Sequence, residues 1–256
     1  MMTVGSLFSG IGGLELGLEQ TGEFRTIWQC ENNTYASAVL KKHWPNVPNI
    51  GDITKAKWKK QEKPDVVCGG FPCQDISIAG KQRGIEHGKR SGLWKEFVRC
   101  LRVTRPKYAL VENVGRIQAN GIKRVTKDLR RLGYTVHPVE ISGNQIGAYS
   151  QRERVFFIAH SRSIGCNNCP AADKEYEIPH NAVWGAEENI RKWAGWKRWL
   201  NKVSKAVDGQ VSRADFHGMD DGLPEELDRI RCLGNAVIPG VAQAVGIMII
   251  EIENNR

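Results

Sequence analysis

Short apolar runs suited to strands alternate with stretches of helical periodicity along the first 160 residues. This alternation limits the fold more than any other feature of the chain. The first run, residues 3–8, leads into Phe8-Ser9-Gly10-Ile11-Gly12-Gly13, after which Leu14, Leu16 and Leu18 open a helix. Residues 26–30 predict a second strand ending on Glu31, and residues 64–68 a third that runs into Gly69-Gly70. Residues 108–111 predict a fourth, ending on Glu112-Asn113, and residues 135–141 and 155–159 predict two more. Helical patterns over residues 34–43, 93–103 and 122–132 separate these runs. The expected class is α/β, a doubly wound and mostly parallel sheet covered on both faces. In such sheets ligands bind beyond the carboxyl ends of the strands, where Gly10, Glu31, Cys73 and Glu112 fall.

After His160 the alternation stops. Residues 161–222 are irregular and polar and predict a small second domain, the first domain taking residues 1–160 and 223–256. The chain closes with Leu233-Gly234-Asn235-Ala236-Val237-Ile238-Pro239 and a long apolar helix. Alone, that helix would be insoluble, so it is expected to pack back onto the first domain. Trp184, Trp193, Trp196 and Trp199 lie in the second domain among Arg191, Lys192, Lys197 and Arg198, a mixture that could contact nucleic acid. Trp193, Trp196 and Leu200 also recur at helical spacing, which fits a packed helix face.

Composition removes several classes. An apolar share of 41% and a charged share of 25% are those of a globular protein. No segment reaches the length of a membrane span, since Pro239, Gly240 and Gln243 interrupt residues 236–250; with an N-terminus that lacks a charged leader, this predicts a cytoplasmic protein off the membrane. Seven cysteines without paired spacing argue against a disulfide framework, and Cys166-Asn-Asn-Cys169 lacks the second pair that a zinc site needs, so no metal is expected. The net charge of +9 is uneven: residues 80–131 hold fifteen Lys/Arg against four Asp/Glu, a surplus of eleven. Beside a candidate nucleophile this suggests a polyanionic substrate, although a solvated helix face has the same composition.

The candidate nucleophile is Cys73, in Gly69-Gly70-Phe71-Pro72-Cys73-Gln74-Asp75. A thiol placed directly after a proline, behind glycines that permit close backbone approach, has the setting of a nucleophile or of a buried structural cysteine. Phe8-Ser9-Gly10-Ile11-Gly12 differs from the dinucleotide pattern and lacks the lysine of a phosphate loop. Glu31, ending the next strand, suits the hydroxyls of an adenosine ribose, and Asp52 in Gly51-Asp52-Ile53 suits an adenine amino group; either could equally be a surface carboxylate. Glu112 could cap a helix, and Arg152 and Arg154 could be surface charges on one strand.

Taken together, these motifs resemble those of the cytosine-C5 DNA methyltransferases of bacterial and phage type. Phe8-Ser9-Gly10-Ile11-Gly12-Gly13 is similar to the family's S-adenosylmethionine loop, Gly70-Phe71-Pro72-Cys73-Gln74 to its catalytic loop and Glu112-Asn113-Val114 to its glutamate motif. Arg152-Glu153-Arg154 is similar to its paired-arginine strand and Gly234-Asn235-Ala236-Val237 to its last motif. The five occur in the family's order. The resemblance implies that Cys73 adds to cytosine C6, that Glu112 protonates or hydrogen-bonds N3, and that Arg152 and Arg154 hold the base carbonyl, orient the glutamate and favour the thiolate. It implies S-adenosylmethionine as cofactor, held by Phe8, Ser9, Gly10, Ile11, Gly12, Glu31, Asp52, Ile53, Pro72, Leu93, Asn235 and Val237.

The resemblance further implies double-stranded DNA as the partner, a flipped target base, a monomer, and a recognition role for the small domain in restriction-modification or phage and host DNA protection. Gly80, Gly84, Gly88 and Gly92, set among Lys81, Arg83, Lys89 and Arg90, suggest a loop that closes over a phosphate backbone. One position departs from the pattern: Ser150 stands where the family has glutamine, with Gln151 shifted by one. A tRNA-directed branch shares the loop and the cysteine, but Asp75-Ile76-Ser77 looks more like the DNA enzymes. A catalytically silent DNA-binding protein on the same core would not need Cys73, Glu112 and the arginine pair.

Overall fold

In a computed structural model, residues 1–72, 91–114, 119–143, 153–163 and 235–254 are described. Among them β1 (Met2–Leu7), β2 (Phe24–Cys30), β3 (Val66–Gly70), β4 (Tyr108–Val114), β5 (Tyr134–Ser142) and β6 (Glu153–Ser161) form one sheet, in the order β2-β1-β3-β4-β6-β5. The first four strands are mutually parallel, and β6 runs antiparallel to both its neighbours. Only ten residues join β5 to β6. That is shorter than the crossover a parallel pairing requires, so the chain turns back on itself and β6 enters the sheet reversed.

The helices are α1 (Gly13–Glu19), α2 (Thr34–His43), α3 (Trp94–Thr104), α4 (Ala119–Arg131) and α5 (Pro239–Asn254). Local chemistry sets their limits. The Asn33 side chain caps α2 by accepting from the Ala36 N–H at 2.9 Å, while Lys41, Lys42 and His43 sit in its last turn, where positive charge complements the helix dipole. In α3 the buried Trp94, Phe97, Cys100, Leu101 and Thr104 fall on one face at helical spacing, and the chain leaves through Arg105 in the left-handed region (φ 50°).

Strand alternation divides the core into two layers. Val66, Cys68, Tyr108, Leu110, Phe156 and Ile158 face α1 and α5, with Leu14, Leu18, Val241, Val245 and Ile249 against them. Val67, Ala109, Val111, Phe157 and Ala159 face α3 and α4, against Phe97, Leu101, Val125 and Leu129. Each large apolar side chain buried this way stabilises the fold by roughly 1.5–3 kcal/mol. The closing helix does return to the first unit: α5 packs on α1 where Gly17 lies against the Pro239 carbonyl oxygen, too close for any side chain. This docking brings residues 235–237 beside the loop that follows β1. Among the described residues no helix is long and apolar enough to cross a membrane. Residues 161–222, expected to form the second domain, fall almost wholly outside those described.

Candidate active site

A cavity of about 490 Å³ opens at the carboxyl ends of β1, β2, β3 and β4. Phe8, Ser9, Gly10, Glu31, Asp52, Ile53, Pro72, Leu93, Glu112, Arg154, Asn235 and Val237 all line it. The sequence therefore pointed to one place from eight separate segments. Ile11 and Gly12 are not in its wall; Gly12 instead starts α1 from a left-handed conformation (φ 88°) that suits glycine. Cys73 and Arg152 lie outside the described residues, as do residues 80–90 of the loop expected to close over a phosphate backbone.

One half of the cavity is polar and tightly tied. Glu31 Oε2 accepts from the Gly10 N–H and Oε1 from the Asn33 N–H, both at 2.8 Å, so the end of β2 is bonded to the turn after β1. Asn49 clamps the Glu31 backbone from both sides, accepting from its N–H and donating to its carbonyl at 3.0 Å each. Asp52 starts a short 3₁₀ turn (Ile53–Lys55) by accepting from the Thr54 hydroxyl at 2.7 Å and the Thr54 N–H at 2.9 Å. Those bonds hold its carboxyl below the usual carboxylate range, so it is ionised at neutral pH. The apolar wall here is Ile53, Phe8 and Leu93.

Arg99 anchors that wall from behind. Its guanidinium donates to the Ile53 carbonyl at 2.6 Å and the Ala56 carbonyl at 3.0 Å, pairs with Glu96 at 2.6 Å, and lies over the Trp58 ring at 5.8 Å. Three fixed donor directions suit the arginine fork and not a lysine.

The other half is built on β3, β4 and β6. Glu112 pairs with Gly70 across β3 and with Phe156 across β6, while Arg154 pairs with Val114. Glu112 and Arg154 are thus diagonal neighbours on one face, and Arg154 Nε lies 2.7 Å from Glu112 Oε1 with the two side chains only 14% and 11% exposed. The Nε–H bond does not point along that line, so charge attraction holds the pair more than a directed hydrogen bond does. Phe71 is buried against Trp94 at 5.1 Å between ring centres, and Trp94 is fixed by donating to Asp128 at 3.0 Å. Phe71, two residues ahead of Cys73, is therefore rooted in the core.

The thiols Cys30, Cys68 and Cys100 are buried, and burial pushes each upward, Cys30 and Cys100 to about 12. At neutral pH none is a thiolate. Chemically, the cavity offers anchored carboxylates beside an apolar slot at one end and a carboxyl with a guanidinium at the other. No group of His, Cys, Asp and Glu that could hold a metal ion is found among the described residues. Sequence reasoning did not single out Cys30, Asn32, Asn33 or Ala36, which also line the cavity. Their position immediately around Glu31 was the available signal.

A family model described as C-5 cytosine-specific DNA methylase matches residues 2–215. The chain is 30% identical over 200 residues to the Type II methyltransferase M.FnuDI of Fusobacterium nucleatum, covering 72% of this chain and 55% of that protein. It is 31% identical over 227 residues to the Type II methyltransferase M.MspI of Moraxella sp., covering 87% of this chain and 50% of that one. The chain thus spans about half the length of these relatives. The S. pombe Dnmt2 methyltransferase has a similar fold, with a TM-score of 0.52 at 22% identity over 63% of this chain and 51% of that one.

Proposed function

The chain belongs to the C-5 cytosine-specific DNA methylase family, and on that premise we propose that it methylates C5 of cytosine in double-stranded DNA with S-adenosylmethionine as donor. The observation that carries this reading is the joining, in one cavity, of the Glu31–Gly10 end with the Glu112–Arg154 end.

The residues present fit the cofactor. Glu31, already bonded to the Gly10 N–H, has the acceptors a ribose diol needs; ionised Asp52 suits an exocyclic amine; Ile53, Phe8 and Leu93 suit the faces of a purine. When bound, the cofactor would supply an electrophilic methyl group for C5 to accept.

Everything else falls to the protein. Cytosine C5 is a weak nucleophile until a thiolate adds to C6. Cys73, next in sequence after the cavity residue Pro72, is assigned that addition: a Sγ–C6 bond forms and the ring electrons move toward C5. Glu112, held beside Arg154, is assigned the proton at ring N3 that makes C6 electrophilic. Arg154, with Arg152, is assigned the base carbonyl. Loss of the C5 proton after methylation restores the C5–C6 double bond and expels the thiolate. The target base must leave the duplex stack for this pocket, at a cost of a few kcal/mol. Lys123, Lys127 and Arg131, exposed on α4, add positive charge for a phosphate backbone. Residues 161–222 are assigned to target recognition and the rest to catalysis, in a monomer that modifies DNA for restriction-modification or phage and host protection.

Transfer of labelled methyl groups tests the reading. Duplex DNA should become labelled, tRNA should not, and Glu112→Gln should lower the rate by about 10²–10⁴; labelling of tRNA alone would replace DNA as substrate.

A further inference from the structure

Beneath the cavity lies a carboxyl that the proposed chemistry leaves unused. Glu15, in the first turn of α1, is 0% exposed. Its Oε1 accepts from Gln29 Nε2 at 3.5 Å, while its Oε2 has no hydrogen-bond partner among the described residues. Gln29 Oε1 is equally buried and equally without a donor. Two buried acceptors lacking donors are costly, and a proton on Glu15 supplies one.

The surroundings of Glu15 connect it to the cavity. The Ser6 and Ser9 hydroxyls lie beside its carboxyl, and Ser9 Oγ donates to Ser6 Oγ at 3.0 Å. Ser9 Oγ also accepts from the Cys30 N–H at 3.4 Å, and the Ser9 carbonyl accepts from the Gly12 N–H at 3.0 Å. Ser9 thereby ties the turn after β1 to the end of β2, one residue from both partners of the Gly10–Glu31 bond. We propose that Glu15 is a positioning residue for this turn, holding Ser9 from below so that Gly10 and Glu31 keep the geometry in which they receive the cofactor.

Glu15 performs this role as the neutral acid. Burial raises its carboxyl above the usual range and outweighs the neighbouring Ser6, Ser9 and Gln29 groups that favour ionisation. An ionised form would also find no compensating charge on the buried Cys68 of β3. The inference rests on the cofactor reading above.

Calorimetric titration with S-adenosylhomocysteine, the demethylated cofactor, separates the two. Unmodified protein and Glu15→Gln should bind within about twofold of each other, because the amide keeps shape and neutrality. Glu15→Ala should bind about tenfold more weakly, with KM for S-adenosylmethionine raised and kcat at saturation unchanged. Glu15→Asp, which folds as an acid but is one methylene short, should be weakened as Glu15→Ala is. Equal affinity of Glu15→Ala and the unmodified protein would overturn the inference alone, as would a Gln variant as weak as the Ala variant. No binding by the unmodified protein would overturn the cofactor reading, and the inference with it.

Discussion

Gly70 leaves the space that the Glu112 carboxylate occupies: the two are register partners across β3 and β4, and a Cβ on Gly70 would overlap Glu112 Oε2. A backbone atom set therefore fixes where an acidic side chain can stand. Gly70→Ala should turn the carboxylate away from Arg154 and lower kcat about a hundredfold, equivalent to about 2.7 kcal/mol of barrier. Steady-state kinetics alongside thermal unfolding check this; an Ala variant with full activity would mean that Glu112 relaxes freely.

Arg154→Ala removes the guanidinium that lies 2.7 Å from the mostly buried Glu112 carboxyl. Loss of about 2 kcal/mol of unfolding free energy is expected, with part recovered in Glu112→Gln/Arg154→Ala. Urea unfolding of the two single variants and the double variant gives the coupling directly.

Arg99 sets the wall at the Asp52–Ile53 end without touching the cavity. Arg99→Lys cannot reproduce its bonds to Ile53, Ala56 and Glu96 together. KM for S-adenosylmethionine should rise about fivefold to tenfold, while KM for DNA should stay put.

Gly17 joins α1 to α5. Alanine would gain about 1 kcal/mol in helix propensity, but its Cβ would meet the Pro239 carbonyl oxygen, Ala242 and Gln243. Backbone cannot give way as a side-chain tip can, so Gly17→Ala should be destabilising by about 2 kcal/mol or more, read as a lower unfolding midpoint.

His137 makes the fold sensitive to acid. Burial first, then the charges of His160 and Arg130, push it down to about 4 from 6.5. The unfolded chain then binds more protons between those values, so stability rises with pH across that window and is lost on acidification from about 6.5 to 4. The upper bound is roughly 3 kcal/mol. Glu140, raised to about 7 mainly by burial and secondly by Glu153, acts in the opposite sense, its stabilisation being lost as pH rises through 7. Glu140 is only partly buried, so solvent screens it more than the buried His137. Replacing His137 with Phe should flatten the acid limb of stability measured between pH 7 and 4.5.

Much of the fold was legible because period and capping agreed. Residues 34–43 form α2 as expected, since Asn33 supplies the cap where the apolar face begins. The fourth strand, expected to end on Glu112-Asn113, runs to Val114; its apolar run stops at Val111 because Glu112 and Asn113 are polar residues buried at the cavity. Strand order is long-range information, and only the shortness of the β5–β6 connection hinted at the reversed β6. In the site, Glu31, Asp52, Glu112 and Arg154 were legible from motif and strand position. The roles of Arg99, Gly70 and Trp94 were not, because each acts through a contact with a residue distant in sequence.

A covalent bond between Cys73 and the target base is the step on which the proposed chemistry depends. Incubating the protein with S-adenosylmethionine and duplex DNA carrying 5-fluorocytosine tests it, because fluorine in place of the C5 hydrogen blocks the elimination that releases the thiolate. A denaturation-resistant protein–DNA adduct, formed by the unmodified protein and lost in Cys73→Ser, is the predicted result. Undiminished methylation by Cys73→Ser, with no adduct from the unmodified protein, would contradict it.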